Sequence, residues 1–188
     1  APATPLTHSL IHPLHWLTRE GRTYKTTEYY EKTLFHGATY AAMMQPGRPM
    51  IVIHTSDLAY RVRFSFLQEY FNFLCSDLTD FPVARAAAAS SAVPILFNPV
   101  VVENYDACDD YAVAWPEDVA ELVQQGPEFA MVYSGLKSYE DKSQRKYIHF
   151  VDGGITDNMG LRALYDMISL AGGPHAFFKN VQNTAPRH

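Results

Sequence analysis

Asp152 is the residue around which chemistry can be built. It follows Tyr147-Ile148-His149-Phe150-Val151, an apolar run that predicts a short strand, and it precedes Gly153-Gly154 and a polar turn. Beyond the turn, Leu161, Leu164, Tyr165 and Ile168 recur at helical spacing. A carboxylate at the carboxyl end of a strand, on a glycine turn, stands where α/β folds present catalytic groups. Such a carboxylate can act as general base for a hydroxyl nucleophile if it lies within hydrogen-bond reach and its environment raises its proton affinity. Gly153 and Gly154 remove Cβ bulk beside it, admit a substrate or another backbone, and permit positive φ. The competing reading is a turn aspartate that caps the helix after it.

The nucleophile that Asp152 would serve is not evident. The sequence holds no G-x-S-x-G, the pattern of a strained strand-turn-helix elbow. Ser9, Ser56, Ser65, Ser76, Ser134, Ser138, Ser143 and Ser169 all lack the paired glycines, and so do Ser90 and Ser91. His54 could stand third in a triad, but a single histidine on a buried strand is more often a hydrogen-bonded core residue. Asp106, Asp109 and Asp110 lack the glycine and terminal glutamate of a calcium loop and read as a solvated acidic loop. Cys75 and Cys108 fit no zinc spacing; two buried thiols are the default, and one disulfide the competitor.

The elements that would position Asp152 are legible in outline. Leu10, Ile11, Leu14 and Leu17 have helical spacing behind Pro13. Thr26 or Thr27 is expected to cap a helix running to Phe35 and ended by Gly37, with a further turn from Thr39 to Met44 before Pro46-Gly47. The aromatic series Tyr24, Tyr29, Tyr30, Phe35 and Tyr40 is expected to pack in the core, an acyl-binding wall being the minority reading. Met50-Ile51-Val52-Ile53-His54 reads as a buried strand. Arg61 to Phe66 alternates and reads as a strand with one wet face, pairing with the first as a hairpin. Gln68 to Leu74 is a short helix or turn.

Pro82 to Pro94 contains four consecutive alanines, the best helix former with the smallest chiral side chain, so this helix can lie close to another element. Ile95-Leu96-Phe97 and Pro99 to Val102 are expected to be extended and buried. Pro116 with Glu117 and Asp118 marks a helix start, and Val119, Leu122 and Val123 give that helix an apolar face. Phe129, Met131, Val132 and Leu136 make a second helical pattern or its continuation, and residues 138–146 read as a charged, exposed connection. Gly172-Gly173-Pro174 breaks the last helix. The order α, β, β, α, β, α, β, α suggests a mixed three-layer α/β arrangement in a single domain.

Composition narrows the function. With 47% hydrophobic and 13% aromatic residues the chain can bury a sizeable core. Fifteen Lys and Arg against 20 Asp and Glu leave a net charge of -5, which argues against nucleic acid as a partner. No apolar run approaches the roughly 20 residues of a membrane span, and the first residues do not read as a signal peptide.

Three blocks carry a family resemblance. Phe150-Val151-Asp152-Gly153-Gly154-Ile155-Thr156-Asp157-Asn158 resembles the DGG/DGA block of patatin-like phospholipases. Phe81 to Pro94 resembles that family's ASSAxP helix and turn. Arg48 to Leu58, followed by Arg63-Phe64-Ser65-Phe66, is similar to its strand leading to a TDL turn and a second strand. The blocks stand in family order between about Gly37 and Arg162.

The resemblance implies a three-layer α/β/α lipid acyl hydrolase with a Ser–Asp dyad, Asp152 as base, Gly153 and Gly154 as the active-site turn, and no metal or organic cofactor. It implies a turn-stabilising role for Asn158. The family's glycine-rich oxyanion loop and nucleophile elbow are not in this sequence. The expectation is therefore one partial hydrolase domain over residues 1–188, inactive alone, whose missing part could come from a second chain or an upstream segment. The implied partner is a lipid or acyl ester, with room for association with a membrane surface. Leu74-Cys75-Ser76-Asp77-Leu78 resembles exported or lipoprotein-type bacterial members, which favours the periplasm or cell envelope and raises the disulfide reading. The alternatives are a non-catalytic lipid-binding relative that kept the fold, and an envelope scaffold whose DGG is only a turn.

Overall fold

A computed structural model of the chain describes residues 21–45, 49–113, 115 and 119–162. The expected helix over Leu10 to Leu17, Pro46-Gly47, the Pro116-Glu117-Asp118 helix start, and the run through Leu164, Tyr165 and Ile168 to Gly172-Gly173-Pro174 lie outside these residues.

The described chain opens with helix α1, Arg22–Tyr30, prolonged by a π turn at Glu31–Phe35. Its N-cap is Gly21, five residues before Thr26 and six before Thr27. Thr26 and Thr27 sit inside the helix, and their hydroxyls donate back to the carbonyls of Arg22 at 3.1 Å and Thr23 at 2.9 Å. The helix ends at His36 and Gly37, both in left-handed backbone. Of the aromatic series only Tyr40, on the short helix α2 (Tyr40–Met43), is fully buried, while Tyr24 is 55% exposed. Spacing alone could not tell which side of α1 meets the rest of the molecule; it is the Arg22, Thr23 and Thr26 side that is buried.

Four strands form the sheet: β1 His54–Asp57, β2 Arg63–Ser65, β3 Val100–Glu103 and β4 Tyr147–Val151. Their order is β2-β1-β4-β3, and every neighbouring pair is antiparallel. Thr55 faces Phe64, Asp57 faces Phe150, and Val100 faces Phe150 from the other side. These residues share one face of the sheet because side chains alternate along a strand. On that face Phe64 and Phe150 meet at 4.6 Å between ring centres, and Phe66 and Phe81 at 5.3 Å. Each such ring pair adds about 0.5–1.5 kcal/mol beyond area burial.

Helix α3 (Gln68–Phe73) and helix α4 (Val83–Ser90) cover this core. Ala84, Ala86, Ala88 and Ala89 of α4 are all buried, so the backbone of α4 comes close enough for Thr55 Oγ1 to lie 3.4 Å from the Ala89 carbonyl. Helices α5 (Val119–Gln125) and α6 (Pro127–Lys137) follow β3, separate helices broken at Gly126. A 3-10 turn, Ser138–Glu140, leads toward β4, and the one-turn helix α7 (Gly154–Asp157) follows it. The succession of helices and strands is the one the sequence suggested, and the fold is α/β.

Several local expectations are corrected. The first strand begins at His54, not Met50. Phe66 N–H bonds the Ile53 carbonyl, but residues 49–53 belong to no described strand, and Met50 is 67% exposed. A β-branched run has strand propensity only where a neighbour completes its ladder. β2 has no wet face, since Arg63, Phe64 and Ser65 are all buried. Ile95-Leu96-Phe97 forms turns rather than buried extended chain; Ile95 is 91% exposed and takes a φ of 75°. The connection at 138–146 buries Tyr139 completely and most of Arg145, because Asp57 lies beneath it.

Cys75 and Cys108 form a disulfide across a sequence separation of 33 residues. It ties the end of α3 to the acidic loop after β3. Among the described residues, no helix is long and apolar enough to cross a membrane.

Candidate active site

The chain leaves β4 at Val151 and turns at once. Asp152 N–H donates to the Ala92 carbonyl at 3.0 Å, and Gly153 N–H donates to the Ser90 carbonyl at 3.0 Å. The Ala-Ser-Ser-Ala end of α4 is thereby docked onto the Asp-Gly-Gly turn. These bonds satisfy carbonyls that a helix leaves open at its C-terminus.

Asp152 is half-buried, and its Oδ1 accepts the Gly154 N–H at 2.8 Å. That bond fixes the carboxylate as in an Asx turn. Gly153 is required by crowding, not by positive φ, its φ being -65°. A Cβ on Gly153 would lie 2.6 Å from the His54 carbonyl oxygen, and one on Gly154 would lie 2.8 Å from both Asp152 Oδ1 and Asn158 Oδ1. Asn158 therefore closes over the turn it follows.

A hydroxyl pair holds the turn from the other side. Ser56 Oγ donates to the Asp152 carbonyl at 2.8 Å and lies 2.9 Å from Thr156 Oγ1. Since Ser56 has one proton to give, Thr156 donates to Ser56. His54 Nε2–H donates to the Asp157 carbonyl at 2.8 Å and so anchors α7. It is a structural histidine here, as expected of a histidine on this strand. Ser91 Oγ donates back to the Ala87 carbonyl at 2.9 Å. Among the described residues no serine hydroxyl is hydrogen-bonded to the Asp152 carboxylate.

Next to the turn lies a buried charge cluster. Asp57, fully buried at the end of β1, accepts from Arg145 at 2.7 Å and from the Tyr139 hydroxyl at 3.0 Å, and its other oxygen accepts Ala59 N–H at 2.8 Å. Arg145 is sandwiched between the Tyr60 and Tyr139 rings, 4.8 Å from each. Burial pushes the Tyr139 phenol well above its ordinary value, and the Asp57 charge adds to it. Arg63 approaches Asp157 of α7 at 3.9 Å, with both side chains buried.

A cavity of about 660 Å3 runs beside β2. Val62, Phe73, Trp115, Val123, Val132 and Leu136 supply apolar walls. Ile155 and Thr156 of α7 also line it, three and four residues beyond Asp152, as do Arg61, Arg63 and Arg162. Asp152 itself does not. Arg162 pairs with Glu128 at the start of α6 at 2.6 Å.

A family model for patatin-like phospholipases matches residues 15–165. The chain belongs to the patatin-like phospholipase family. Membership makes lipid acyl hydrolysis the activity at a coarse level and a lipid the substrate class. Comparison with curated proteins and with solved structures gave no match.

Within this patatin-like frame the structure brings Asp152, Gly153, Gly154 and Asn158 into one turn, clamped by α4 and β1. The contributions of Ser56, Thr156, Asp57, Tyr139 and Arg145 were not apparent in the sequence. Ser56-Asp57 read only as the polar end of a strand, and Tyr139 and Arg145 sat in a stretch that looked exposed.

Proposed function

We propose that Asp152 is the general base of a Ser–Asp dyad in a serine lipid acyl hydrolase, with its serine and oxyanion donors supplied by sequence outside these 188 residues. The carrying observation is that the half-buried Asp152 carboxylate at the end of β4 accepts the Gly154 N–H while Ala92 and Ser56 hold the Asp152 main chain, on a turn where a Cβ on Gly153 would strike the His54 backbone. In this reading the serine O–H proton passes to the Asp152 carboxylate as the serine oxygen attacks the ester carbonyl. The oxyanion is held by backbone N–H groups. The tetrahedral species collapses to an acyl-serine, and the leaving alcohol takes the proton from Asp152. Water then releases the fatty acid by the same proton route in reverse.

The apolar stretch at residues 49–53, which belongs to no described strand, supports a further strand joining the sheet there, from the same protein or a second chain. The Cys75–Cys108 disulfide supports an oxidising location, the periplasm or cell envelope. Work at a membrane surface is consistent with a lipid substrate.

The test uses the intact protein with short-chain nitrophenyl esters and lysophospholipid. Asp152→Asn is expected to lower turnover at least ~100-fold. Near-normal turnover in that variant sinks the dyad. A fluorophosphonate probe should label the intact protein; an unlabelled protein that also lacks turnover is a non-catalytic patatin-like relative. The 188-residue chain alone is expected to be inactive.

A further inference from the structure

We infer that His54 is a positioning residue for Asp152: its imidazole is the post around which residues 153–160 wrap, and it sets the place of the base without taking part in proton transfer. The catalytic consequence rests on the dyad reading above; the wrapping itself does not.

One ring meets three points of the loop. Nε2–H donates to the Asp157 carbonyl at 2.8 Å. At the start of the loop, a Cβ on Gly153 would lie 2.9 Å from Cδ2 of His54. At its end, a Cβ on Gly160 would lie 3.6 Å from Cε1. Cδ2 and Cε1 are the two carbons that flank Nε2, so the ring is gripped on both sides of its donor. Gly160 turns at a φ of 70°, a backbone that glycine adopts without strain, and its N–H shares the Asp157 carbonyl at 3.3 Å. The loop thus closes on the atom that His54 holds.

That atom is coupled to Asp152 through one turn of helix. The Gly153 carbonyl accepts the N–H groups of Thr156 at 3.2 Å and Asp157 at 3.0 Å, and Asp152 Oδ1 accepts the Gly154 N–H at 2.8 Å. A shift of Asp157 is therefore passed along α7 to the peptide groups that orient the carboxylate. Asp157 is buried, and Arg63 of β2 approaches its carboxylate at 3.9 Å. His54 on β1 holds the main chain of the residue whose side chain faces Arg63 on β2, so two neighbouring strands fix one point of the loop.

The same geometry keeps His54 out of the chemistry. With its proton on Nε2 and committed to a carbonyl, Nε2 has no lone pair with which to accept a serine proton. Among the described residues no carboxylate is hydrogen-bonded to the ring, and such a partner is what orients a catalytic histidine.

The experiment compares His54→Leu with His54→Gln in the intact protein. Glutamine carries an Nε2 donor of similar reach but cannot act as a base. Amide hydrogen exchange is followed by mass spectrometry over residues 152–160. His54→Leu should speed exchange there ~10-fold or more, and His54→Gln should restore most of the protection. With a nitrophenyl ester, His54→Leu should lower kcat ~10-fold or more with KM little changed, and His54→Gln should recover most of kcat. His54→Phe, which keeps a ring without the donor, repeats the test should His54→Leu fail to fold. Unchanged exchange in the variants without a donor overturns the proposal. Faster exchange with unaltered kcat overturns the positioning role. Loss of kcat in His54→Gln with its protection intact makes His54 a catalytic base and overturns the proposal too. Near-normal turnover in Asp152→Asn removes the dyad, while the exchange comparison still decides whether His54 holds the loop, so the two readings fail separately.

Discussion

Gly153 stands so close to His54 that a Cβ on it would lie 2.6 Å from the His54 carbonyl oxygen and 2.9 Å from its ring. The contact joins the candidate catalytic turn to the strand beside it, and the obstacle is backbone, which cannot step aside. Gly153→Ala is expected to displace the turn, with a loss of about 1–3 kcal/mol of stability and of most hydrolysis by the intact protein. Thermal unfolding followed by circular dichroism, beside an ester assay, checks both. A variant with unchanged melting and turnover would show the approach to be looser than the structure has it.

Ser56 acts on Asp152 through the main chain. Ser56→Ala leaves the Asp152 carbonyl without its side-chain donor and Thr156 with only the longer bond to the Gly153 carbonyl at 3.4 Å. The expected loss of stability is about 1 kcal/mol. Because the hydroxyl positions the base and does not meet the substrate, kcat should fall roughly tenfold with KM little changed. Ser56→Thr should recover part of kcat. A change confined to KM would argue against a positioning role.

Arg145 and Asp57 are 88 residues apart and meet at 2.7 Å in the interior. Arg145→Met leaves a fully buried carboxylate without its cation, at an expected cost of about 3–5 kcal/mol. Urea unfolding at neutral pH measures it. A loss below 1 kcal/mol would mean that the Tyr139 hydroxyl and Ala59 N–H suffice for Asp57.

Tyr139 gives the fold a dependence on alkaline pH. Burial, and then the Asp57 charge, raises its phenol well above the ordinary value. Burial likewise raises that of Tyr40. The unfolded chain releases these protons near pH ~10 while the fold retains them. Their stabilisation is therefore present below pH ~10 and is lost as pH rises toward the folded values. The urea midpoint should drop between pH 9.5 and 11, as read at ~0.5-unit steps. Tyr139→Phe should flatten that drop, leaving the share from Tyr40.

The Cys75–Cys108 link constrains the unfolded chain across a separation of 33 residues. Reduction, or Cys75→Ser with Cys108→Ser, should cost about 3–4 kcal/mol. Thiol titration of the untreated, denatured protein should find no free cysteine. Two free thiols would remove the support for an oxidising compartment.

What could be read from the residues had local causes. Alternating apolar residues specified β4, four consecutive alanines specified α4, and Gly37 marked the end of α1. Those local signals also carried the family blocks, and with them the α/β fold and the place of Asp152. The misread stretches are those where partners decide. The run from Met50 to Ile53 has strand composition but no described neighbour strand, and Arg63 looks solvated until Asp157 is placed near it.

By itself, the sequence determined the succession of helices and strands, which family they compose, and that Asp152 would end a strand on a glycine turn. Backbone propensity and side-chain periodicity act over a few residues, so they are visible in one dimension. The tertiary structure alone decided that Ser56 and α4 clamp that turn, that Asp57 pairs with Arg145, and that an apolar cavity opens one turn from Asp152. These depend on residues tens of positions apart, brought together only when burial of the aromatic core fixes the packing of sheet and helices.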